Sequence, residues 1–377
     1  MKVSPTIRHL LFITALITVI FTSECVSREP LLADHWFRGN THAHTELCGH
    51  ADSSPDVVTA WYHDHGYNFL ILSEHNQFID PNTVKLPENR RKNFILIPGM
   101  EITGKKHIHS TAMNVQRVVP WKFNHINKSA IIQNHVDGTI KAGGQPILNH
   151  PFGKDNLVEK DILPVYNLYL FELFNGHNAE RWQYPPTENL WDQLLSKGML
   201  IYGVSSDDAH RFQKTGKSNP GRGWVMVRSS SLDPETITKA MSQSNFYSSN
   251  GVFLKTYNNN PDTYLIEVDT QRTKQELTSL PDLRGKHINK GTEGYRVEFI
   301  GPNGDILDTI KGIKGRFNIN SSIAYVRAKV TFTHKHPRKD GFEEYYAWGQ
   351  PVFTDARAGI NPLKHKRRDK PNASGDK

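Results

Sequence analysis

Short, continuously apolar runs alternate with helix signals over the first two thirds of this chain, and the runs keep ending on His, Glu or Asp. Asn68-Phe69-Leu70-Ile71-Leu72 stops at Ser73-Glu74-His75-Asn76, and Phe94 to Gly99 stops at Met100-Glu101. Gln145 to Leu148 stops at Asn149-His150-Pro151, Tyr166 to Phe171 at Glu172 and Asn175, and Met199 to Val204 at Ser205-Ser206-Asp207-Asp208-Ala209-His210. Runs without polar alternation suit strands covered on both faces, which need helices on either side. Trp36–His44, His109–Val115 and Trp224–Val227 read as further strands.

The helix signals fall between the runs. Ser53-Ser54-Pro55-Asp56 offers a Ser cap, a Pro in the first turn and a carboxylate at the positive end of the dipole. Val57, Val58 and Trp61 would give that helix its apolar face, with Gly66 closing it. Residues 129–142, 186–197 and 233–242 read as helices, each with a stop or cap. The fold class is therefore α/β, with sites built at the C-terminal ends of the strands. Beyond residue 255 the pattern changes to β alternation (Tyr264–Val268, Tyr295–Phe299, Tyr325–Phe332) broken by turns such as Pro302-Asn303-Gly304. No strong helical period appears there.

The ends of the chain read differently. Lys2 and Arg8 precede the apolar run Leu10–Phe21, which is too short to span a membrane and fits a secretory signal peptide over 1–27. Acylation at Cys25 is the alternative, although Glu24 is wrong for a lipobox. The mature protein is expected to be secreted or periplasmic, with no membrane span. The net charge of +8 sits largely in the tail from Lys364 to Lys377, where six cations face two carboxylates. A nucleic-acid footprint needs a basic face on the folded part, so no nucleic acid is expected as partner. Residues 361–377 read as a basic disordered tail. After cleavage only Cys48 remains, which excludes an internal disulfide. Cys48 is read as packing rather than ligating.

The densest cluster is His42-Ala43-His44-Thr45-Glu46-Leu47-Cys48-Gly49-His50. In an extended segment residues i and i+2 share a side, so His42 and His44 can reach one ion, and His50 can return across Gly49. Imidazole with carboxylate selects Zn, Mn or Fe rather than Cu(I), and with so little sulfur a closed structural zinc site is not expected. His109 is preferred to His107 because an apolar strand continues after it. His63, His65, His125, His135 and His177 have no matching context. Glu172 and Asn175 face the same end, as either outer support or a simple turn. Lys154, Arg211 and Arg222 follow the polar strand ends and are candidate substrate cations, each more simply read as a solvated charge. Trp121, Phe152, Trp182 or Trp224 can supply an apolar pocket.

These motifs resemble the polymerase and histidinol phosphatase (PHP) superfamily of metal-dependent hydrolases. His42-Ala43-His44 with His50, Glu74-His75, Gly99-Met100-Glu101, His109, Asn149-His150-Pro151 and Asp208-Ala209-His210 are similar to its motifs, with Glu74 standing where Asp is usual. Gly221-Arg222-Gly223-Trp224, Phe246 to Gly251 and Ala347 to Phe353 resemble its secreted carbaryl hydrolase-like branch. The resemblance implies a distorted (β/α)7 barrel over 28–254, a β-rich region over 255–360, and two or three divalent ions. It implies His42, His44, Glu101 and Asp208 at one ion, Glu101 bridging to a second with His109 and His150, and His50, His75 and His210 at a third. A hydroxide bridging the ions would then attack a small-molecule ester, with Asp208 as proton acceptor and His210 assisting the leaving group. A phosphoesterase is the leading reading. A carbamate, carboxyl-ester or amide hydrolase, and a non-catalytic metal- or carbohydrate-binding protein, are the alternatives. The oligomeric state is not legible.

Overall fold

The computed structural model describes residues 35–354, apart from 88, 90–91, 123–126, 153–155, 215, 280–284 and 337–339. The proposed signal peptide, Cys25 and the basic tail lie outside the described residues. Among the described residues no helix is long and apolar enough to cross a membrane.

The strands in chain order are β1 (His35–Ala43), β2 (Phe69–Leu72), β3 (Ile95–Leu96), β4 (Gly99–Thr103), β5 (His109–Met113) and β6 (Gln145–Leu148). Then come β7 (Leu170–Asn175), β8 (Tyr202–Ser206), β9 (Trp224–Ser229), β10 (Phe246–Ser249), β11 (Leu254–Asn259) and β12 (Thr263–Val268). The last are β13 (Lys286–Ile288), β14 (Gly294–Ile300), β15 (Ile306–Lys311), β16 (Lys314–Asn318), β17 (Tyr325–Lys335) and β18 (Phe342–Phe353). Two boundaries move from expectation. The 166–171 run is paired over Leu170–Asn175, which places Glu172 inside the strand, and Glu101 lies in the middle of β4.

The fold is mixed α/β and rich in strands. Its ladders form a ten-stranded sheet in the order β15-β14-β17-β18-β10-β9-β1-β2-β3, with β13 on β18, a five-stranded sheet β4-β5-β6-β7-β8, and a three-stranded sheet β11-β12-β16. They do not close into one barrel. The two large sheets meet instead at two isolated parallel bridges, Ala43–Ala209 and His75–Glu101. Backbone bonds brace these seams: His44 N donates to Ala209 O at 2.9 Å, Asp208 N to His42 O at 2.8 Å and Glu101 N to Glu74 O at 2.9 Å. Both seams therefore lie at the polar strand ends. β1, β2 and β3 run parallel, as do β6, β7 and β8, so their C-terminal ends gather on one side. β5 is antiparallel to β4 and β6, which brings its first residue, His109, to that side.

Between the sheets Phe69, Ile71, Ile97, Met113, Ile147, Leu170, Val204 and Val225 pack as one core. Each fully buried side chain of this size stabilises the fold by about 1.5–3 kcal/mol. The helix Pro55–Asp64 starts where expected, with Ser54 as its cap, but it buries Val58, Thr59 and Tyr62 while Val57 stays exposed. The helix Glu188–Ser196 buries Leu190, Leu194 and Leu195 as the spacing requires, and Trp191 with them. Two helices carry no clear sequence signal. Gly176–Trp182 is capped by Asn175, and Thr270–Ser279 buries only Thr273. The latter is held by a buried ion pair, Arg38 Nη2 to Glu276 Oε1 at 2.8 Å.

The C-terminal strands do more than cover an edge. β18 pairs with β10, and Gln350 on β18 brackets Gly203 of β8. Gly203 N donates to Gln350 Oε1 at 3.0 Å, and Gln350 Nε2 donates to Gly203 O at 2.9 Å. β8 leads directly into Asp207 and Asp208.

Candidate metal centre

The structure gathers His42, His44, His50, His75, Glu101, His109, His150, Asp208 and His210 at the strand ends. Glu101 is the hub and is fully buried. Its Oε1 lies 3.2 Å from His42 Nε2, 3.2 Å from His109 Nδ1 and 3.3 Å from His150 Nε2, and accepts a hydrogen bond from Asn149 Nδ2 at 2.8 Å. Its Oε2 lies 2.6 Å from His75 Nδ1 and 3.7 Å from His44 Nε2. Asp208 Oδ1 faces His42 Nε2 at 3.4 Å and His44 Nε2 at 3.3 Å. Donor sets close enough to share an ion include His42–His44–Asp208, His42–Glu101–His150 and His44–His75–His210, each with its donor atoms within 4.8 Å of one another.

His150 Nε2 and Asn149 Nδ2 hydrogen-bond Glu101 Oε1, but several of the other close approaches are not hydrogen bonds. Glu101 Oε2, His75 Nδ1, His109 Nδ1, His44 Nδ1 and Glu74 Oε2 are all buried without a hydrogen-bond partner. A buried polar atom left so costs about 1–3 kcal/mol, and native proteins hold few of them. Their lone pairs converge on shared points, the arrangement a cation would satisfy.

The tautomers agree. His42 Nδ1 donates to Glu172 Oε1 at 2.7 Å, which turns its Nε2 into the centre, 3.2 Å from His44 Nε2. His50 Nδ1 donates to the carbonyl of Cys48 at 3.0 Å and His210 Nδ1 to that of Asp208 at 2.8 Å. Their Nε2 atoms then face each other at 2.9 Å, a separation that a shared proton or a cation can bridge. A second ring nitrogen fixed by carboxylate or carbonyl is the usual state of a ligating histidine.

Electrostatics point the same way. Burial penalises charge on His42, yet Asp208, Glu172 and Glu101 outweigh it and push the imidazole well above its usual range. Burial likewise opposes ionisation of Asp208 and Glu101, and the surrounding histidines hold both well below the usual carboxylate range. Burial and the His44 charge push His210 down to about 2. Buried carboxylates need positive charge, from imidazolium or from metal. Two of these residues also sit in left-handed backbone, Asp208 at φ 52° and His150 at φ 26°. Such conformations cost of order 1–3 kcal/mol each and cluster at functional sites.

Outer residues complete the centre. Glu172, besides His42, accepts from His150 N at 2.8 Å, from Asn175 Nδ2 at 2.9 Å and from Ser206 Oγ. Glu74 turns away from the hub, taking Thr45 N at 2.6 Å with its other oxygen 3.9 Å from His44 Nδ1. Asp207 is anchored by Tyr62 Oη at 2.7 Å and the amides of Gly221, Arg222 and Gly223.

His107 is exposed, and His63 and His65 lie away from the centre, paired with Asp64 and stacked on Trp61. His125 is outside the described residues, and His135 lies on the buried face of the helix Lys128–Lys141. His177 departs from expectation. Its ring lies 5.2 Å from that of His210, and its Nδ1 is 2.7 Å from Ser218 Oγ. The helix that carries it has no periodic signal, so sequence reading misses it. Among the candidate substrate cations, Arg222 Nε pairs with Glu180 Oε1 at 2.6 Å, Arg211 is exposed, and Lys154 is outside the described residues. Phe152 lines a pocket beside His150 and Glu172, with Leu173, Asn175, Asn178, Tyr184, Pro185 and Thr187. Trp224 is fully buried against Phe253, and Trp182 stands exposed.

No family model matches the chain, and none of the curated proteins does. Among solved structures it is similar to a two-domain protein from Bacteroides vulgatus ATCC 8482, described as containing a predicted PHP-like metal-dependent phosphoesterase. The identity is 13%, over 83% of this chain and 95% of that one, with a TM-score of 0.41.

Proposed function

We propose that this chain is a secreted metal-dependent hydrolase of ester bonds, with phosphoesters as its first substrate class. The observation that supports it best is the set of buried donors around Glu101 that approach one another without hydrogen bonding. His42, His44 and Asp208 would hold one ion, His109 and His150 a second, with Glu101 between them, and His50, His75 and His210 a third. Divalent ions bound there acidify water and polarise the bond under attack, and the donor set suits Zn, Mn or Fe.

The chain's own groups supply the rest. Asp208 stays ionised and is the proton acceptor. Asn175 Nδ2, 2.9 Å from Glu172 Oε2 and 3.3 Å from Asp208 Oδ2, keeps the two carboxylates in place. His210 has given its Nδ1 proton to a carbonyl and turns a bare Nε2 inward, so this reading assigns it to holding rather than to protonating a leaving group. Secretion rests on Lys2, Arg8 and Leu10–Phe21.

The pocket supports a second substrate class. Its apolar walls are Phe152, Leu173, Tyr184 and Pro185, and no Lys or Arg is among its described lining residues. A neutral aryl carbamate, carboxyl ester or amide fits such walls better than a phosphate does. Turnover of an aryl phosphate and an aryl carbamate, before and after chelation, tests both. Chelator-sensitive turnover of either supports the hydrolase, and the preferred ester selects the class. No turnover of any ester by Zn- or Mn-loaded protein would overturn it.

A further inference from the structure

We propose that Cys48 is a metal ligand, completing with His50 and His210 a sulfur-containing ion site at the outer edge of the centre. The inference rests on the metal-dependent reading above and reverses the expectation that this thiol merely packs. Three observations carry it.

The first is local backbone. Thr45 caps the short 3-10 turn Glu46–Cys48, accepting from Leu47 N, and Gly49 closes it at φ 78°. A residue with a Cβ is disfavoured at that φ. The turn brings Cys48 and His50 to one side, where Cys48 Sγ and donor atoms of His50 and His210 lie within 4.8 Å of one another.

The second is the pair of opposed Nε2 atoms. His50 and His210 both spend Nδ1 on backbone carbonyls, so both Nε2 atoms turn to one point, 2.9 Å apart. A cation there takes the place of a shared proton, and the nearby thiolate supplies negative charge to it.

The third is independent of both. His44 Nδ1 and Glu74 Oε2 belong to fully buried side chains, lack hydrogen-bond partners, and form a second group with Cys48 Sγ, again within 4.8 Å. Cys48 thus sits between the facing Nε2 pair and a second, unsatisfied buried pair. Coordination releases the thiol proton to solvent and leaves sulfur bound to the ion. Thiolate favours Zn over Mn, so this position is Zn-selective while the N/O positions around Glu101 accept either.

Co(II) replacement tests this on the full chain after chelation. Wild type is expected to show thiolate-to-cobalt charge-transfer absorption. Cys48→Ser should lose that band and one ion per chain by elemental analysis, while keeping the remaining ions. His50→Ala, which keeps the thiol, should lose most of the band as the site loses its neighbouring ligand. Ions bound by wild type with no thiolate band, or a Cys48→Ser chain with unchanged ion count and affinity, would overturn the Cys48 assignment and leave the hydrolase reading standing. A wild-type chain that binds no ions at all would overturn both.

Discussion

Glu172 Oε1 lies 2.7 Å from His42 Nδ1, both side chains buried, and the pair joins the middle of the five-stranded sheet to the end of β1. The carboxylate fixes the ring and its tautomer. Three further contacts reach it from other groups, so it cannot shift alone. Glu172→Gln keeps the shape and removes the charge. It should weaken ion affinity about 10–100-fold, as loss of such outer partners does elsewhere. Calorimetric titration of Zn into chelated protein measures this; unchanged affinity would remove Glu172 from the centre.

Away from the site, Arg327 forks onto Asp192 with Nε–Oδ1 at 2.7 Å and Nη2–Oδ2 at 2.6 Å, and Tyr325 Oη adds a bond at 3.1 Å. This ties the helix Glu188–Ser196 to β17. Arg327 is 2% exposed, so Asp192→Ala removes its two shortest bonds and leaves the buried guanidinium only Glu188 Oε2, at 3.4 Å. Urea denaturation should show a loss of about 3–5 kcal/mol, with the number of bound ions unchanged in the folded protein.

Gln350→Ala removes both bonds to Gly203. Ser248 Oγ still serves the Gly203 carbonyl, but the Gly203 amide is left buried without Gln350. The expected cost is about 1–3 kcal/mol. Because β8 feeds Asp208, ion affinity should fall together with stability, a coupling that a remote covering strand would not show.

His135 gives a pH prediction. Burial pushes its imidazole down to about 3, helped by the His109 charge. Between pH ~6.5 and ~3 the unfolded chain therefore binds a proton that the folded chain refuses. Stability should fall as pH drops through that window and be fully present above it. In chelated protein, the wild-type curve should be steeper there than that of His135→Gln by up to one proton; parallel curves would refute the burial argument.

Much of this centre was legible because its residues follow apolar runs that only strands explain. The His42–His44 pair, Asn149-His150 and Asp208–His210 stand directly at such ends, and local spacing is enough to place them. Glu172 was ambiguous because its partner is 130 positions away in the chain. His177 was missed because Gly176–Trp182 is helical through the Asn175 cap and a bond from His177 N to Asp207 O, not through an apolar stripe. The helix Thr270–Ser279 was missed for the same kind of reason, its anchor being Arg38 on β1. Sheet closure was not legible either. Periodicity reports which residues are strands, while the two single-bridge seams depend on pairings across the fold.

The most direct test is elemental analysis of the purified chain before and after dialysis against chelator, with ester turnover followed in the same samples. This account predicts at least two Zn, Mn or Fe ions per chain, lost together with turnover and restored together on readdition. Fewer than two bound ions, with no turnover when Zn or Mn is supplied, would contradict it.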